Sequence, residues 1–340
     1  MRRLGINGFG RIGRAVARAN QVQRKFDLVA VNDINPHIEN MAYLLKYDST
    51  YGRYPADVVA GDQSIVIDGT PVAYSSEQLV ADVDWGAHKV DVVVDSSGIA
   101  KNVELSRELV SRGAPSKVVV THSSDSVDNE VVMGVNCETL SSDDNVVSNS
   151  ICDANAIAHV MKWINSEYGV DSGSITTLHP WLSYQNIVDG AAISQSNPGV
   201  VWQDFALGRS SVSSVIPKHT TAMDAVEKVI PELKGKVMSF SYRIPTCIVA
   251  SSDLTIRVKK EVSREDLIKF LNAKIDDSPY VLSNTESLTS VDYEGCSESA
   301  IVDMQWLQVK GDLIKVVLWY DNEYGYSSRV LDLATTLLEK

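Results

Sequence analysis

Four cysteines in 340 residues, Cys137, Cys152, Cys247 and Cys296, are too sparse for a disulfide framework, and no two have the C-x-x-C spacing. That scarcity points to a reducing, cytoplasmic setting. Basic charge is also short: 31 lysines and arginines stand against 44 aspartates and glutamates, a formal net charge of −13. Without a basic surplus, nucleic acid and membrane surfaces are poor candidate partners, and an anionic ligand needs a local basic pocket. No apolar run at the amino terminus is long enough for export or for spanning a bilayer. MRRLGINGFGRIG moves directly into a strand-like run and a glycine turn, which predicts a soluble, unprocessed protein. Repeats and low-complexity tracts are missing too. What remains is a chain long enough for two domains, each with a substantial core.

In the first half, the β-rich apolar runs LGIN (4–7), LVAVND (28–33), VDVVVDSS (90–97) and KVVVTH (117–122) alternate with helix-compatible segments. Alternation of this kind predicts a doubly wound α/β domain with a parallel sheet. A short hairpin is expected around Asp68-Gly69, and a helix carrying Glu104 to Arg112 after Gly98. The second half reads differently. A helix over residues 153–166 is followed by long strands (GSITTLHPWL, VMSFSYRIPT, IVASSDLTIRVKK, DLIKVVLWY), fewer helices, and a terminal helix after Asn322. These predict an α+β domain with a mostly antiparallel sheet. The boundary is expected close to Cys152, where a cleft enzyme would place its chemistry.

Gly8-Phe9-Gly10-Arg11-Ile12-Gly13 follows a strand and opens a helix, the context in which a glycine pattern reads as a dinucleotide fingerprint. The first glycine permits the tight turn, the second lets a pyrophosphate approach the backbone, and the third lets helix pack on strand. Helix dipole and free amides then bind the phosphates. Twenty residues past Gly13, Asp33 ends the second strand with a carboxylate placed to accept from an adenosine ribose. Its charge would repel a 2′-phosphate, so NAD is expected over NADP. Ser97, closing the third strand run, is assigned with these residues to cofactor binding. The competing reading is an ordinary strand-to-helix turn.

Cys152 opens the helix after SNSI. A thiol in a first helical turn feels the positive end of the dipole, which favours thiolate, and a thiolate attacks aldehydes. The alternative is a small buried hydrophobe, the usual fate of a lone intracellular cysteine. His179, in the strand context Thr176-Thr177-Leu178-His179, follows the cysteine's helix and supplies a base that would complete a nucleophile pair. Among the other histidines, His37, His88 and His122 read as surface or packing residues, and His159 lies about two helical turns from Cys152, too far to act as its base. His219 stands in the run Lys218-His219-Thr220-Thr221, discussed below. No metal is expected.

With these residues in place, the sequence resembles the glyceraldehyde-3-phosphate dehydrogenase family, including its erythrose-4-phosphate dehydrogenase branch, essentially end to end. INGFGRIGR (6–14), AVNDIN (30–35), LLKYDSTYGRY (44–54), VVMGVN (131–136), SNSICDAN (148–155), TTLH (176–179), VIPELKGK (229–236), YRIPT (242–246) and WYDNEYGYSSRVLDL (319–333) carry the likeness. The resemblance implies NAD-dependent oxidation of a polar, phosphorylated or otherwise anionic aldehyde. Cys152 is then the nucleophile that forms a hemithioacetal, and His179 the base that activates it. Loss of hydride to the nicotinamide gives a thioester. Asn322 and Tyr326 match positions that orient the nicotinamide, and Arg243 the arginine that meets substrate or attacking phosphate. The resemblance further implies a homotetramer. It divides the chain into an NAD-binding domain (1–151), a catalytic domain (152–318) and a carboxy-terminal helix (319–340) returning to the NAD-binding domain.

Several residues depart from that pattern. The family's nucleophile segment usually reads serine-cysteine-threonine-threonine-asparagine, and its serine and threonine help hold inorganic phosphate; here they are Ile151 and Asp153. Two unit charges about 6 Å apart at an effective dielectric near 20 interact by about 3 kcal/mol before screening, a heavy penalty for orthophosphate beside Asp153. The same carboxylate disfavours the thiolate, although acids are also favoured in any first helical turn. Leu182 and Tyr184 replace polar substrate-phosphate residues, and the erythrose-4-phosphate branch also tends to be apolar there. AAISQSNPGVVWQ reads as an insertion before Ile216-Pro217. In Lys218-His219-Thr220-Thr221, Thr220 keeps a substrate-site hydroxyl and Lys218 or His219 could add positive charge; a solvent-facing loop is the alternative. Ala156 removes the family's second cysteine. Thioester release by phosphate or by water stays open, the changes leaning toward water. A regulatory relative with little turnover is the competing class, against which the joint retention of Cys152, His179, Arg243 and Asn322 speaks.

Overall fold

The β-rich runs of the first half become strands of a single sheet, and those of the second half strands of another, in a computed structural model that describes residues 1–194 and 200–340. Residues 195–199, inside the segment read as an insertion, lie outside the described residues. The chain forms two compact units. The first comprises Met1–Val131, Cys137–Ser150 and Ser327–Lys340, the second Val132–Asn136 and Ile151–Tyr326.

The first unit contains, in chain order, β1 (Arg3–Asn7), α1 (Arg11–Gln23), β2 (Asp27–Asn32), α2 (Ile38–Lys46), the two-residue strands β3 (Tyr47–Asp48) and β4 (Gly52–Arg53), β5 (Val58–Gly61), β6 (Ser64–Ile67), β7 (Thr70–Ser75), β8 (Val92–Asp95), α3 (Ala100–Ser111), β9 (Lys117–Val120), β10 (Asn129–Glu130) and β11 (Val146–Ser148). Its main sheet runs β10-β11-β9-β8-β1-β2-β7-β6-β5. All pairs from β10 to β7 are parallel, and β6 and β5 extend the β7 edge antiparallel. The parallel core explains why β8 is a continuous Val-Val-Val-Asp run: it is buried on both faces. Asp68 (φ 47°) and Gly69 (φ 77°) form the two-residue hairpin turn between β6 and β7, as their left-handed backbone requires. The order reverses at β1, which pairs with β2 on one side and β8 on the other. A reversal of this kind opens a crevice at the carboxyl ends of the strands, where α/β sheets bind ligands.

The second unit contains α4 (Cys152–Tyr168), β12 (Val170–Pro180), β13 (Ile216–Lys218), α5 (Ala222–Val229), β14 (Val237–Ile244), β15 (Ala250–Val258), α6 (Arg264–Asp276), β16 (Val281–Asn284), β17 (Ala300–Lys310) and β18 (Leu313–Tyr320). Its sheet runs β13-β14-β12-β15-β18-β17-β16. Only β12–β14 and β16–β17 are parallel, so the sheet is mostly antiparallel as expected. β17 was not read from the sequence. A register shift between Asp303 and Gln308 breaks the two-residue alternation that would have marked it. The last helix, α7 (Tyr324–Leu337), begins in the second unit, and its residues from Ser327 onward cluster with the first. Among the described residues no helix is long and apolar enough to cross a membrane.

α4 is the pillar of the second core. Ala154, Ala156, Ile157, Ala158, Val160, Met161 and Ile164 are all fully buried, packed with Leu254, Val316 and Leu318 from the sheet. An apolar surface on almost every side is what a helix sandwiched in a core requires. Ile157→Ala should cost about 2–5 kcal/mol, the usual range for such a truncation. The check is the urea midpoint followed by tryptophan fluorescence, and an unchanged midpoint would contradict the packing.

Candidate active site

The glycine turn lies at the sheet's reversal point, directly after β1. Gly8 has φ 83°, and a Cβ on it would stand 2.6 Å from the Ser97 backbone nitrogen. A Cβ on Gly13 would meet the Gly8 carbonyl oxygen at 2.1 Å, so helix α1 packs on the strand end only because residue 13 has no side chain. Around Gly10 nothing lies within 4 Å of such a Cβ. That open side is a space a phosphate group can enter. Gly10 gives α1 no side-chain cap, so no N-cap oxygen occupies the helix terminus, the end at which anions bind. Asp33 accepts from the Phe9 amide (2.7 Å) and the Asn35 amide (3.0 Å), which fixes its carboxylate against the turn. Ser97 donates its hydroxyl to the buried Asp95 (2.7 Å). Arg11 uses its guanidinium on Asp48 (2.6 Å), Phe9 is fully buried, and Ile12 is half-buried. Their side chains therefore build the turn, and the Phe9 amide is taken by Asp33.

In the second unit, Cys152 is the first residue of α4. The chain enters through Ser150, whose φ of 55° is held by its amide donating to the Ser148 hydroxyl (2.9 Å) and its own hydroxyl donating to Glu130 (2.7 Å). Ile151 at the N-cap has no oxygen with which to cap the helix. His179 sits near the end of β12, and the Cys152 Sγ is 3.7 Å from its Nε2. The other ring nitrogen, Nδ1, is 2.9 Å from the Pro180 carbonyl oxygen. A carbonyl only accepts, so Nδ1 carries the proton and Nε2 presents its lone pair to the thiol. Arg243, buried on β14, is the direct register partner of His179 across the parallel pair.

Asp153 does not cap outward. It is buried, with Oδ1 3.7 Å from Sγ of Cys152 and accepting from the Tyr320 hydroxyl at 2.7 Å. Ser252 bonds the same hydroxyl (3.2 Å). Burial first, and then the Asp153 charge, raise the Cys152 pKa well above its ordinary value, with Arg243 opposing. The pull of the helix terminus toward thiolate is thus outweighed. Burial, followed by the nearby Arg243 charge, lowers the His179 pKa to about 4. At neutral pH the resting pair is therefore thiol and neutral imidazole, and the proton moves as sulfur attacks. Burial and then the Asp153 charge push the Tyr320 hydroxyl well above its usual range, so it remains a donor.

Other expectations meet different fates. Lys218 is half-buried and its pKa is lowered by burial and by Arg243, so it belongs to the same electrostatic cluster, whereas His219 faces solvent. The Thr220 hydroxyl accepts from the Ala222 amide (3.2 Å) and starts α5. Tyr184 packs on Trp202, ring centroids 4.5 Å apart, and helps build a small apolar cluster with Leu207 and Ile216. His159 is a buried packing residue between Trp163 and Tyr280. Among the described residues the Asn322 Oδ1 is buried without a hydrogen-bond partner, and Tyr326 is buried. Tyr320 and Ser252 were missed by sequence reasoning. The signal for Tyr320 is the alternation of β18, in which Ile314, Val316, Leu318 and Tyr320 all point inward.

The amino-terminal part, residues 2–103, matches the model of the glyceraldehyde 3-phosphate dehydrogenase NAD-binding domain, and residues 151–322 match that of the carboxy-terminal domain. The chain belongs to the glyceraldehyde-3-phosphate dehydrogenase family. It is 39% identical over 338 residues to glyceraldehyde-3-phosphate dehydrogenase 3 of Saccharomyces cerevisiae, covering 98% of each chain. Glyceraldehyde-3-phosphate dehydrogenase 1 of Kluyveromyces lactis is 39% identical over 337 residues, with 98% of each covered. That of Bacillus cereus is 37% identical over 345 residues, covering 100% of this chain and 99% of the relative. As a family member, the chain is an NAD-dependent oxidoreductase that oxidises an aldehyde through a cysteine thioester.

NAD fits the residues present. The space over Gly10 and the end of α1 without a side-chain cap suit a pyrophosphate. When bound, NAD supplies the hydride acceptor.

The charge pattern around the thiol sets its reactivity. Alkylation of Cys152 by iodoacetamide should climb steadily with pH through pH 9, because the thiol pKa is raised. Asp153→Asn should speed it at neutral pH by about tenfold, the equivalent of one pKa unit. A rate that levels off below pH 8 in the native protein would contradict the assigned charges.

Proposed function

We propose that this enzyme oxidises a short phosphorylated aldehyde, glyceraldehyde 3-phosphate being the first candidate, and releases the thioester to water rather than to orthophosphate. The carrying observation is the buried Asp153 carboxylate, held by Tyr320 and 3.7 Å from Sγ of Cys152. Cys152 attacks the aldehyde carbon while His179 Nε2 takes the thiol proton, giving a hemithioacetal. Collapse of its alkoxide expels hydride and leaves the acyl group on sulfur. Around His179, Arg243 and Lys218 supply two cations against the one carboxylate of Asp153, Asp204 acting on Lys218 only, so the site favours an anionic substrate. Once a substrate phosphate carrying about two negative charges is bound, that surplus is gone and a second phosphate meets net negative charge. Water carries no such penalty: His179, having passed the thiol proton to solvent and become neutral again, accepts a proton from the attacking water and returns it to the departing sulfur. The acid leaves and the Cys152 thiol is restored.

Residues 1–151 carry the nucleotide in this reading, with Gly8 to Gly13, Asp33 and Ser97 on the adenosine and pyrophosphate side and Asn322 and Tyr326 on the nicotinamide. The chain from 152 to 318 carries the chemistry, and residues 319–340 return to the nucleotide domain. Thr220 acts through the local turn that presents Lys218. A cytoplasmic homotetramer fits the sparse cysteines and the exposed Phe205, Met238 and Trp306, apolar side chains that self-association would cover.

Two measurements test the reading. Turnover should stay flat as orthophosphate is raised from zero at constant ionic strength, and ¹⁸O from labelled water should enter the acid product. A strong saturable rise with phosphate would mean that phosphorolysis survives. Separately, NAD should bind at least about tenfold tighter than NADP, since Asp33 faces the 2′-phosphate at a cost of the order of 1.4 kcal/mol or more. Equal affinities would show that Asp33 does not meet the ribose.

A further inference from the structure

Among the described residues, Cys152, Asp153 and His179 form a cluster whose ligand atoms all lie within 4.8 Å of one another. Its internal distances are informative. A tetrahedral zinc ion with bonds of about 2.3 Å to sulfur, 2.0–2.1 Å to nitrogen and 2.0–2.2 Å to oxygen sets S···N and S···O separations of about 3.6 Å. The separations from Sγ are 3.7 Å to the His179 Nε2 and 3.7 Å to the Asp153 Oδ1. The Asp153 and His179 ligand atoms lie within 4.8 Å of one another, against about 3.4 Å in a tetrahedral site, so these two close on the ion when it binds.

The outer partners are also those of a metal site. His179 donates Nδ1–H to the Pro180 carbonyl, the arrangement that fixes a ligating imidazole with its other nitrogen toward the ion. Tyr320 donates to the Asp153 carboxylate as outer donors do to ligating acids. One thiolate and one carboxylate balance a dication. Arg243 and Lys218 face the same cluster and oppose the ion, which marks the site as one of moderate affinity and not a closed structural centre.

We propose that Cys152 Sγ, the Asp153 carboxylate and His179 Nε2 form a three-ligand site for a thiophilic divalent cation of the zinc type, whose binding reversibly takes the nucleophile out of use. On coordination the thiol gives its proton to solvent and sulfur bonds to the ion, leaving a fourth position for water. The ion is a regulatory ligand from solution and takes no part in aldehyde oxidation. Asp153 is the decisive residue, because it turns a thiol–imidazole pair into a chelate.

The test uses the purified full chain with Co²⁺ as a spectroscopic probe, without aldehyde or NAD, so that its outcome is independent of how the thioester is released. One Co²⁺ per chain should give a thiolate-to-cobalt charge-transfer band, bleached by Zn²⁺ or a chelator and lost in Cys152→Ser. Asp153→Thr and the near-isosteric Asp153→Asn, each checked by circular dichroism, should weaken Zn²⁺ binding about tenfold or more. No charge-transfer band in the native chain would overturn the proposal. So would a smaller loss of affinity in a folded Asp153 variant, since the cysteine and histidine would then suffice.

Discussion

A buried carboxylate has to be held, and the hydrogen bond from Tyr320 to Asp153 (2.7 Å) is what holds this one. Without it, Asp153 would have only the weak thiol donor of Cys152, 3.7 Å away, to offset its desolvation, at a cost of about 1–3 kcal/mol or more. The bond joins the first turn of α4 to the end of β18. It therefore ties the element that carries the nucleophile to the sheet behind it. The held carboxylate adds to burial in raising the Cys152 pKa, whereas at His179 it opposes the burial and the Arg243 charge that keep the imidazole neutral.

The broad architecture was legible because hydrophobic patterns report burial directly. The valine run of β8 could only be a strand covered on both faces, and the glycine turn after β1 could only be a sharp entry into a helix. Long-range pairing was not legible. Nothing in the sequence says that β12 pairs parallel with β14 and antiparallel with β15, because both choices bury the same side chains. β17 escaped notice for a local reason, since its register shift interrupts the alternation on which strand reading depends.

At the site, residue types were legible and orientations were not. Cys152 and His179 stood out by context, and the structure brings them to 3.7 Å. Asp153 was seen to matter, but a first-turn acid satisfies the helix whether it faces inward or outward, so its direction depended on a tyrosine distant in the chain. Tyr320 itself looked like an ordinary interior aromatic. Lys218 and His219 were equivalent as candidates on charge alone. Lys218 ends β13, paired with Ser241 and half-buried, while His219 lies past the strand and is exposed.

His179 is steered by the carbonyl oxygen of the next residue in its own chain, 2.9 Å from Nδ1. Many catalytic histidines depend on a neighbouring carboxylate side chain, which a single codon change removes. A main-chain oxygen belongs to every amino acid. The tautomer that presents Nε2 to sulfur is therefore encoded by the path of the backbone at the end of β12 and not by the identity of any side chain. Substitutions around this histidine can alter its charge environment without touching the main-chain oxygen that sets the direction of its lone pair.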